Sequence, residues 1–188
     1  MLPIYIHPSF EGISIRTVTL PRDAGDLIEI HMTSDYGPHS PLRPTISTME
    51  LFYRRFLDWS AYGAYLLSYR GTTLFLLELI PIDHTDLGYY YEPAFFDYSI
   101  GITLGIDSNR TEEAVLALSA AITGIFAENP EIYRLVSRVM DGAPEGLLRT
   151  VLERAGFEQL AGQVEMKEPA IYVRWRGLDL QERKGFSE

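Results

Sequence analysis

Three sets of residues in this chain could do chemistry: a few acids, two histidines, and a run of small residues that leads into a helix. Asp97 stands between Phe95-Phe96 and Tyr98. Buried there, its carboxylate could orient an amine or take its proton; the alternative is that Asp97 opens a strand and caps a turn, a common place for aspartate. Asp141, beside Gly142, carries the same two readings. His31 or His84 could act as a base if its segment folds over a strand edge. His31, Asp35 and His39 recur every four residues, as metal ligands on a helix face would, but Gly37-Pro38 breaks any helix between them. No metal site is expected.

The small residues lie in and after an apolar strand expected near Tyr98–Ile106. Gly101, Thr103 and Gly105 fall within it, and Ser108, Asn109, Arg110 and Thr111 follow. A strand, a glycine-containing turn and a helix start present free backbone N–H groups to an anion, and Arg110 adds a cation suited to a pyrophosphate. Glu112 and Glu113 suit the dipole of such a helix but repel a phosphate, so a self-capped helix that binds nothing is the competing reading. Tyr89, Tyr91 and Phe96 would wall a ligand pocket, although consecutive tyrosines on an extended segment face alternate sides and at least one of Tyr89-Tyr90-Tyr91 then only packs.

The elements that must hold these residues follow from hydrophobic period and punctuation. A β-branched strand spans Gly12–Leu20, and Pro21-Arg22-Asp23 opens a helical segment through Ile30. After a Gly- and Pro-rich loop, Ser47 with Glu50 reads as the capping box of a helix carrying Met49, Phe52 and Phe56, ended by Gly63, with Phe52, Phe56 and Trp59 as a core stripe. Ala64–Tyr69 and Thr72–Ile82 flank Arg70-Gly71 as an antiparallel hairpin. Thr111 caps a long helix striped by Val115, Leu118, Ile122 and Ile125, which Asn129-Pro130 stops. A buried strand at Ile132–Met140, a helix ended by Gly156, and strands near Phe157–Met166 and Ala170–Arg176 complete the order. This is a mixed α/β sheet, whose ligands sit at strand ends near helix starts.

Composition narrows the classes. At 188 residues, a single domain over 1–188 is expected, with a core over 12–176 and a solvated tail over 177–188. Sixteen Lys+Arg against 26 Asp+Glu give a net charge of −10, which disfavours a nucleic-acid or anionic-membrane surface and suits solubility or a cationic substrate. With no cysteine, disulfides, thiolate metal sites and a cysteine nucleophile are excluded. The N-terminal residues lack a signal-peptide pattern and no window reaches the length of a membrane span, so a cytoplasmic protein is expected, as a monomer or a homo-oligomer.

The element order resembles the GCN5-related N-acetyltransferase (GNAT) fold, and Leu152-Glu153-Arg154-Ala155-Gly156-Phe157 looks like its closing helix. Glu78, Asp86-Leu87-Gly88-Tyr89-Tyr90-Tyr91, Asp97 and Gly105 occur in the order and spacing of the N-acyltransferases of siderophore assembly, which acylate a hydroxylysine-type amine. The resemblance implies a mostly antiparallel sheet of about seven strands flanked by about four helices. It implies an acyltransferase using acetyl-CoA or another acyl-CoA, with a small-molecule amine as acceptor. It also implies cofactor contacts at Gly101, Thr103, Gly105 and Ser108–Thr111, and the residues read above as candidates for the chemistry are Asp97, Asp141 and His31. The chain departs from that pattern where the siderophore enzymes carry a catalytic histidine: Gly101 stands there. Thr111 likewise replaces the glycine of the pyrophosphate loop. A catalytically silent binding module of the same fold is the alternative.

Overall fold

The computed structural model describes residues 4–5, 7, 10–33, 45–94, 96–106, 108–139, 145–160 and 169–177. Its elements run β1 (Ile13–Thr17), α1 (Ala24–Thr33), α2 (Ile46–Leu57), β2 (Gly63–Tyr69), β3 (Thr72–Pro81), β4 (Asp97–Leu104), α3 (Thr111–Glu128), β5 (Arg134–Val139), α4 (Glu145–Arg154), β6 (Glu158–Gln159) and β7 (Ala170–Trp175). The strands form one seven-stranded sheet in the order β1-β2-β3-β4-β5-β7-β6. Every neighbouring pair is antiparallel except β4 and β5.

The β2–β3 hairpin turns through Arg70 (φ 48°) and Gly71 (φ 83°), the consecutive left-handed residues that match the twist of a two-residue hairpin. Both strands read as nearly continuous apolar runs because the sheet centre is covered on both faces. Phe75, Leu77 and Leu79 of β3 join the core formed with Leu118, Ile122 and Ile125 of α3. On the other face Leu76 joins Leu27 and Ile30 of α1 and Tyr53 and Phe56 of α2, with Ile80 packed against them. Strand alternation therefore puts Glu78, midway between Leu76 and Ile80, on the face covered by α1 and α2. A charge in that apolar run is the local anomaly of the sheet.

Several expectations are corrected in detail. The capping box of α2 is Thr45 with Thr48, not Ser47 with Glu50: the Thr48 amide donates to Thr45 Oγ1 at 3.2 Å and the Thr45 amide to Thr48 Oγ1 at 2.8 Å. Thr45 supplies the same hydroxyl two positions earlier, so the helix starts there and Ser47 and Glu50 fall inside it. Asp58, not Gly63, caps its C-terminus, and Gly63 opens β2. The expected core stripe does not form, because Phe52 and Trp59 are 53% and 57% exposed; the buried ring beside Phe56 is Tyr53. Arg110, not Thr111, occupies the N-cap of α3, and its side chain makes no capping bond. β5 is shorter than Ile132–Met140, with Met140 outside the described residues, as are 161–166 of the expected Phe157–Met166 strand and residues 178–188 of the tail. Gly156 does end α4 in the left-handed region, at φ 86°.

Candidate active site

The parallel pair β4–β5 is joined only at its beginning, where Asp97, Tyr98 and Ser99 face Arg134, Leu135 and Val136. Beyond Ser99 the strands part, so the β5-facing edge of Ile100–Leu104 has no strand partner among the described residues while its other edge continues against β3. A cleft of about 470 Å³ occupies the splay, lined among others by Glu78, His84, Asp86, Gly101, Thr103 and Arg138. An open strand edge in a cleft offers a row of backbone donors and acceptors to an extended ligand.

Ser99, Gly101 and Thr103 share the face of Glu78, and Gly101 is paired with Glu78 directly. A Cβ added at Gly101 would lie 3.3 Å from Glu78 Oε2. The missing side chain therefore leaves a notch in β4 through which the carboxylate meets the cleft. The other carboxylate oxygen is engaged: the Tyr53 hydroxyl donates to Glu78 Oε1 at 2.9 Å. Tyr53 itself is 1% exposed and approaches His31 Nε2 at 3.3 Å. Burial pushes the Glu78 carboxyl above its ordinary value, with the Tyr53 hydrogen bond pulling partly back. Burial, and then the charge of Glu78, push the Tyr53 hydroxyl far up, while burial pushes the His31 imidazole down. A carboxylate of raised pKa at the wall of a cleft is a stronger base than a free glutamate.

The mouth of the cleft is polar. Arg138 of β5 holds both carboxylate oxygens of Asp86 at 2.7 and 2.8 Å, an ion pair reaching across the splay. His84 Nδ1 lies 3.2 Å from the Tyr62 hydroxyl, and Trp59, 57% exposed, meets the His84 ring edge-on at 5.5 Å.

The residues singled out by sequence fall into separate places. Gly101 and Thr103 line the cleft. Asp97 sits at the closed end of the splay, 1% exposed, accepting from Arg134 at 2.6 Å, from the Tyr91 hydroxyl at 3.0 Å and from the Ala94 amide at 2.8 Å. Tyr91 is thus spent on Asp97 and does not fill the splay. Phe96 is 45% exposed against Tyr133, and Tyr89 is 89% exposed on a 3-10 turn. None of these aromatic residues is among those lining the cleft. Among the described residues, His31 is linked to the site through Tyr53. Asp141 lies outside the described residues.

Past β4, the Gly105 amide donates to the Leu74 carbonyl at 2.9 Å, so it serves the sheet and not a ligand. Ser108–Arg110 form a 3-10 turn entering α3. Arg110 is paired with Glu113 at 2.5 Å, and Glu112 with Arg154 of α4 at 2.6 Å, so both acids of the first turn are neutralised by arginines. Glu78 and Tyr53 are the site residues that sequence reasoning did not assign a role. The signal for Glu78 was present, since an acid inside the apolar run Leu74–Ile82 must be either neutralised or functional. Tyr53 carried none, being one more aromatic on an amphipathic helix.

No protein-family description matches the chain, and no curated protein does. Solved structures do match in fold. An aminoglycoside acetyltransferase, AAC(6')-Ib in complex with coenzyme A, superposes with a TM-score of 0.68 at 18% identity, covering 94% of this chain and 99% of that one. RimL, the ribosomal L7/L12 alpha-N-protein acetyltransferase in complex with coenzyme A, gives 0.64 at 14% identity over 93% and 97%. An acetyltransferase from Thermus thermophilus gives 0.61 at 19% identity over 87% and 97%. The chain therefore has the GNAT fold. Among its described residues no helix is long and apolar enough to cross a membrane, and no three His, Cys, Asp or Glu side chains gather as a metal site.

Proposed function

We propose that this protein is an N-acyltransferase that moves an acyl group from a coenzyme A thioester to a small-molecule amine, with Glu78 as the general base. The observation that carries the reading is the open β4 edge beside a partly buried carboxylate, with Gly101 clearing the space between them. The thioester arm of the donor would lie along Ile100–Leu104, using the backbone groups that β5 leaves unpaired. The start of α3, with Arg110, Asn109 and Thr111, would face its pyrophosphate. Glu78 Oε2 would take a proton from the acceptor ammonium. The freed nitrogen lone pair attacks the thioester carbonyl, the C–S bond breaks as the amide bond forms, and the second proton lost by the nitrogen passes through solvent to the departing thiolate. The departure at Gly101 then has a physical meaning: a base delivered from β3 needs no side chain on β4.

Bound coenzyme A in the fold neighbours, and the amine substrate named for the aminoglycoside enzyme, support the donor and acceptor classes. The narrower acceptor, a hydroxylysine-type amine of siderophore assembly, rests on the spacing of Glu78, Asp86–Tyr91, Asp97 and Gly105. Asp97, whose carboxylate is saturated by Arg134, Tyr91 and Ala94, acts in this reading by fixing the closed end of the splay. The test has two steps. Acetyl-CoA and longer acyl-CoA thioesters should raise the melting temperature, and incubation with primary amines, N6-hydroxylysine among them, should release free thiol. No melting shift with any CoA thioester would overturn the assignment.

A second reading, a catalytically silent member of the fold, is favoured by the engagement of Arg110 with Glu113 and of the Gly105 amide with Leu74. Thioester binding without thiol release on any amine would support it. Acyl transfer lost in Glu78→Gln would exclude it.

A further inference from the structure

We propose that Tyr53 and His31 are positioning residues that act on Glu78 in series, holding Oε1 so that Oε2 is the oxygen turned to the Gly101 notch. The proposal rests on the reading of Glu78 as the base. Its basis is a hydrogen-bond chain across three elements: His31 of α1, Tyr53 of α2 and Glu78 of β3. The Tyr53 hydroxyl has one proton, and it goes to Glu78 Oε1. With that proton committed, the 3.3 Å contact between His31 Nε2 and Tyr53 Oη is a hydrogen bond only when Nε2–H is the donor. Each member then fixes the next: His31 sets the rotation of the Tyr53 hydroxyl, and the hydroxyl sets the carboxylate plane of Glu78.

Two further features fit a chain of this kind. Tyr53 is packed at 1% exposure between Phe52, at 4.9 Å edge-on, and Phe56, at 6.0 Å, so its ring has no freedom to swing away from Oε1. The chain also runs away from the cleft, leaving Oε2 as the carboxylate oxygen beside Gly101. A carboxylate bonded at one oxygen and open at the other presents a single basic lone-pair direction to its substrate, which is the geometry a proton transfer needs. The other titratable groups lining the cleft are already partnered. Asp86 is bonded to Arg138, and His84 contacts Tyr62, so the tuning of Glu78 is assigned to the side of α1 and α2.

The chain makes its members' effects non-additive, because the hydrogen bonds among the described residues link His31 to Glu78 through the Tyr53 hydroxyl. The test is a pH titration of Glu78 by carbon NMR on protein labelled at the glutamate side-chain carboxyls, with Glu78→Gln identifying the resonance. Tyr53→Phe removes the donor to Oε1 and should move the titration of Glu78 to higher pH. His31→Phe should move it the same way by a smaller step. His31→Gln, which keeps an N–H donor, should restore most of that step. The double variant Tyr53→Phe/His31→Phe should titrate as Tyr53→Phe alone. A Glu78 titration unmoved by His31→Phe, or two shifts that add in the double variant, would overturn the proposal. If Tyr53→Phe does not fold, the His31→Phe and His31→Gln pair decides it. The titration needs neither acyl-CoA nor acceptor, so it separates the two ideas. Shifts of the expected pattern with no acyl transfer would overturn the base assignment and leave the chain standing, whereas acyl transfer with unmoved titrations would do the reverse.

Discussion

Replacing Glu78 with Gln is the sharpest perturbation of the site. The substitution keeps shape and keeps an acceptor oxygen for the Tyr53 hydroxyl, now bonded to Oε1 at 2.9 Å, while the atom beside Gly101 becomes an N–H donor that cannot accept a proton. General-base catalysis is worth about 10²- to 10⁴-fold in rate, or about 2.7–5.5 kcal/mol of barrier. Acyl transfer should fall by a factor in that range, read as thiol release under saturating acyl-CoA. Affinity for acyl-CoA should not change, since Gln keeps the shape of Glu78 and the donor's thioester arm is held by the backbone of β4 and not by this side chain. The pH dependence follows from the raised carboxyl. Wild-type kcat/KM should fall as pH drops through a value above the ordinary glutamate 4.5, and that limb should vanish in the variant. Stability should move the other way. A carboxyl whose folded pKa is raised favours the folded state below its unfolded value and loses that advantage as pH rises through the folded one. The Gln variant should therefore melt no lower than wild type above neutral pH, and the comparison should shift toward wild type in acid. A Gln variant with wild-type turnover would refute the assignment of the base, and one that binds acyl-CoA poorly would refute the placement of the donor.

Other perturbations separate the parts of the site. Gly101→Leu fills the notch beside Oε2 and should reduce transfer at least about tenfold with the fold retained, measured as turnover beside a circular-dichroism melt. Arg110→Glu should abolish the melting shift given by acyl-CoA, a charge-assisted bond being worth about 1.5–3 kcal/mol, whereas Glu113→Gln frees Arg110 and should tighten acyl-CoA binding in calorimetry. Asp97→Ala leaves Arg134, whose side chain is 14% exposed, unpaired and should cost about 3–5 kcal/mol in denaturant unfolding, with turnover per folded molecule much less affected. Asp23 is buried, which raises its pKa, but bonds from Arg22, the Thr19 amide and Arg16 outweigh this and hold the carboxyl below 3.8. Its contribution to stability should be present above that value and be lost as pH falls through the lower folded one, so Asp23→Asn should flatten the acid limb of a melting-temperature profile.

Much of the architecture was legible because local rules and tertiary burial agree on it. The apolar runs flanking Arg70-Gly71, the stripe of Leu118, Ile122 and Ile125 on α3 and the glycine after α4 each admit one regular structure, and each formed. Errors arose where two residues could serve one local role. Thr45 and Ser47 offer equivalent capping hydroxyls, and the helix starts at Ile46, where Thr45 Oγ1 accepts from the Thr48 amide. Phe52, Tyr53 and Phe56 are equivalent by hydrophobic period, and only packing against β3 selects Tyr53 and Phe56 for burial.

The candidate site was legible to a smaller extent, for a definite reason. Gly101, Thr103 and the α3 start lie on one continuous segment, so their proximity is fixed by chain connectivity and could be read in order. Asp97 looked equally chemical, but its neighbours in space, Arg134 and Tyr91, consume its carboxylate, and the pairing with Arg134 spans 37 residues. The sequence by itself determined the element order, the strand-turn-helix that offers a cradle, and the vacancy at Gly101. Only the tertiary structure shows what faces that vacancy. The register of β3 against β4 puts Glu78 opposite Gly101, and the docking of α1 and α2 puts Tyr53 and His31 behind it. Register and helix docking are set by burial summed over the whole sheet, which no short stretch of residues encodes.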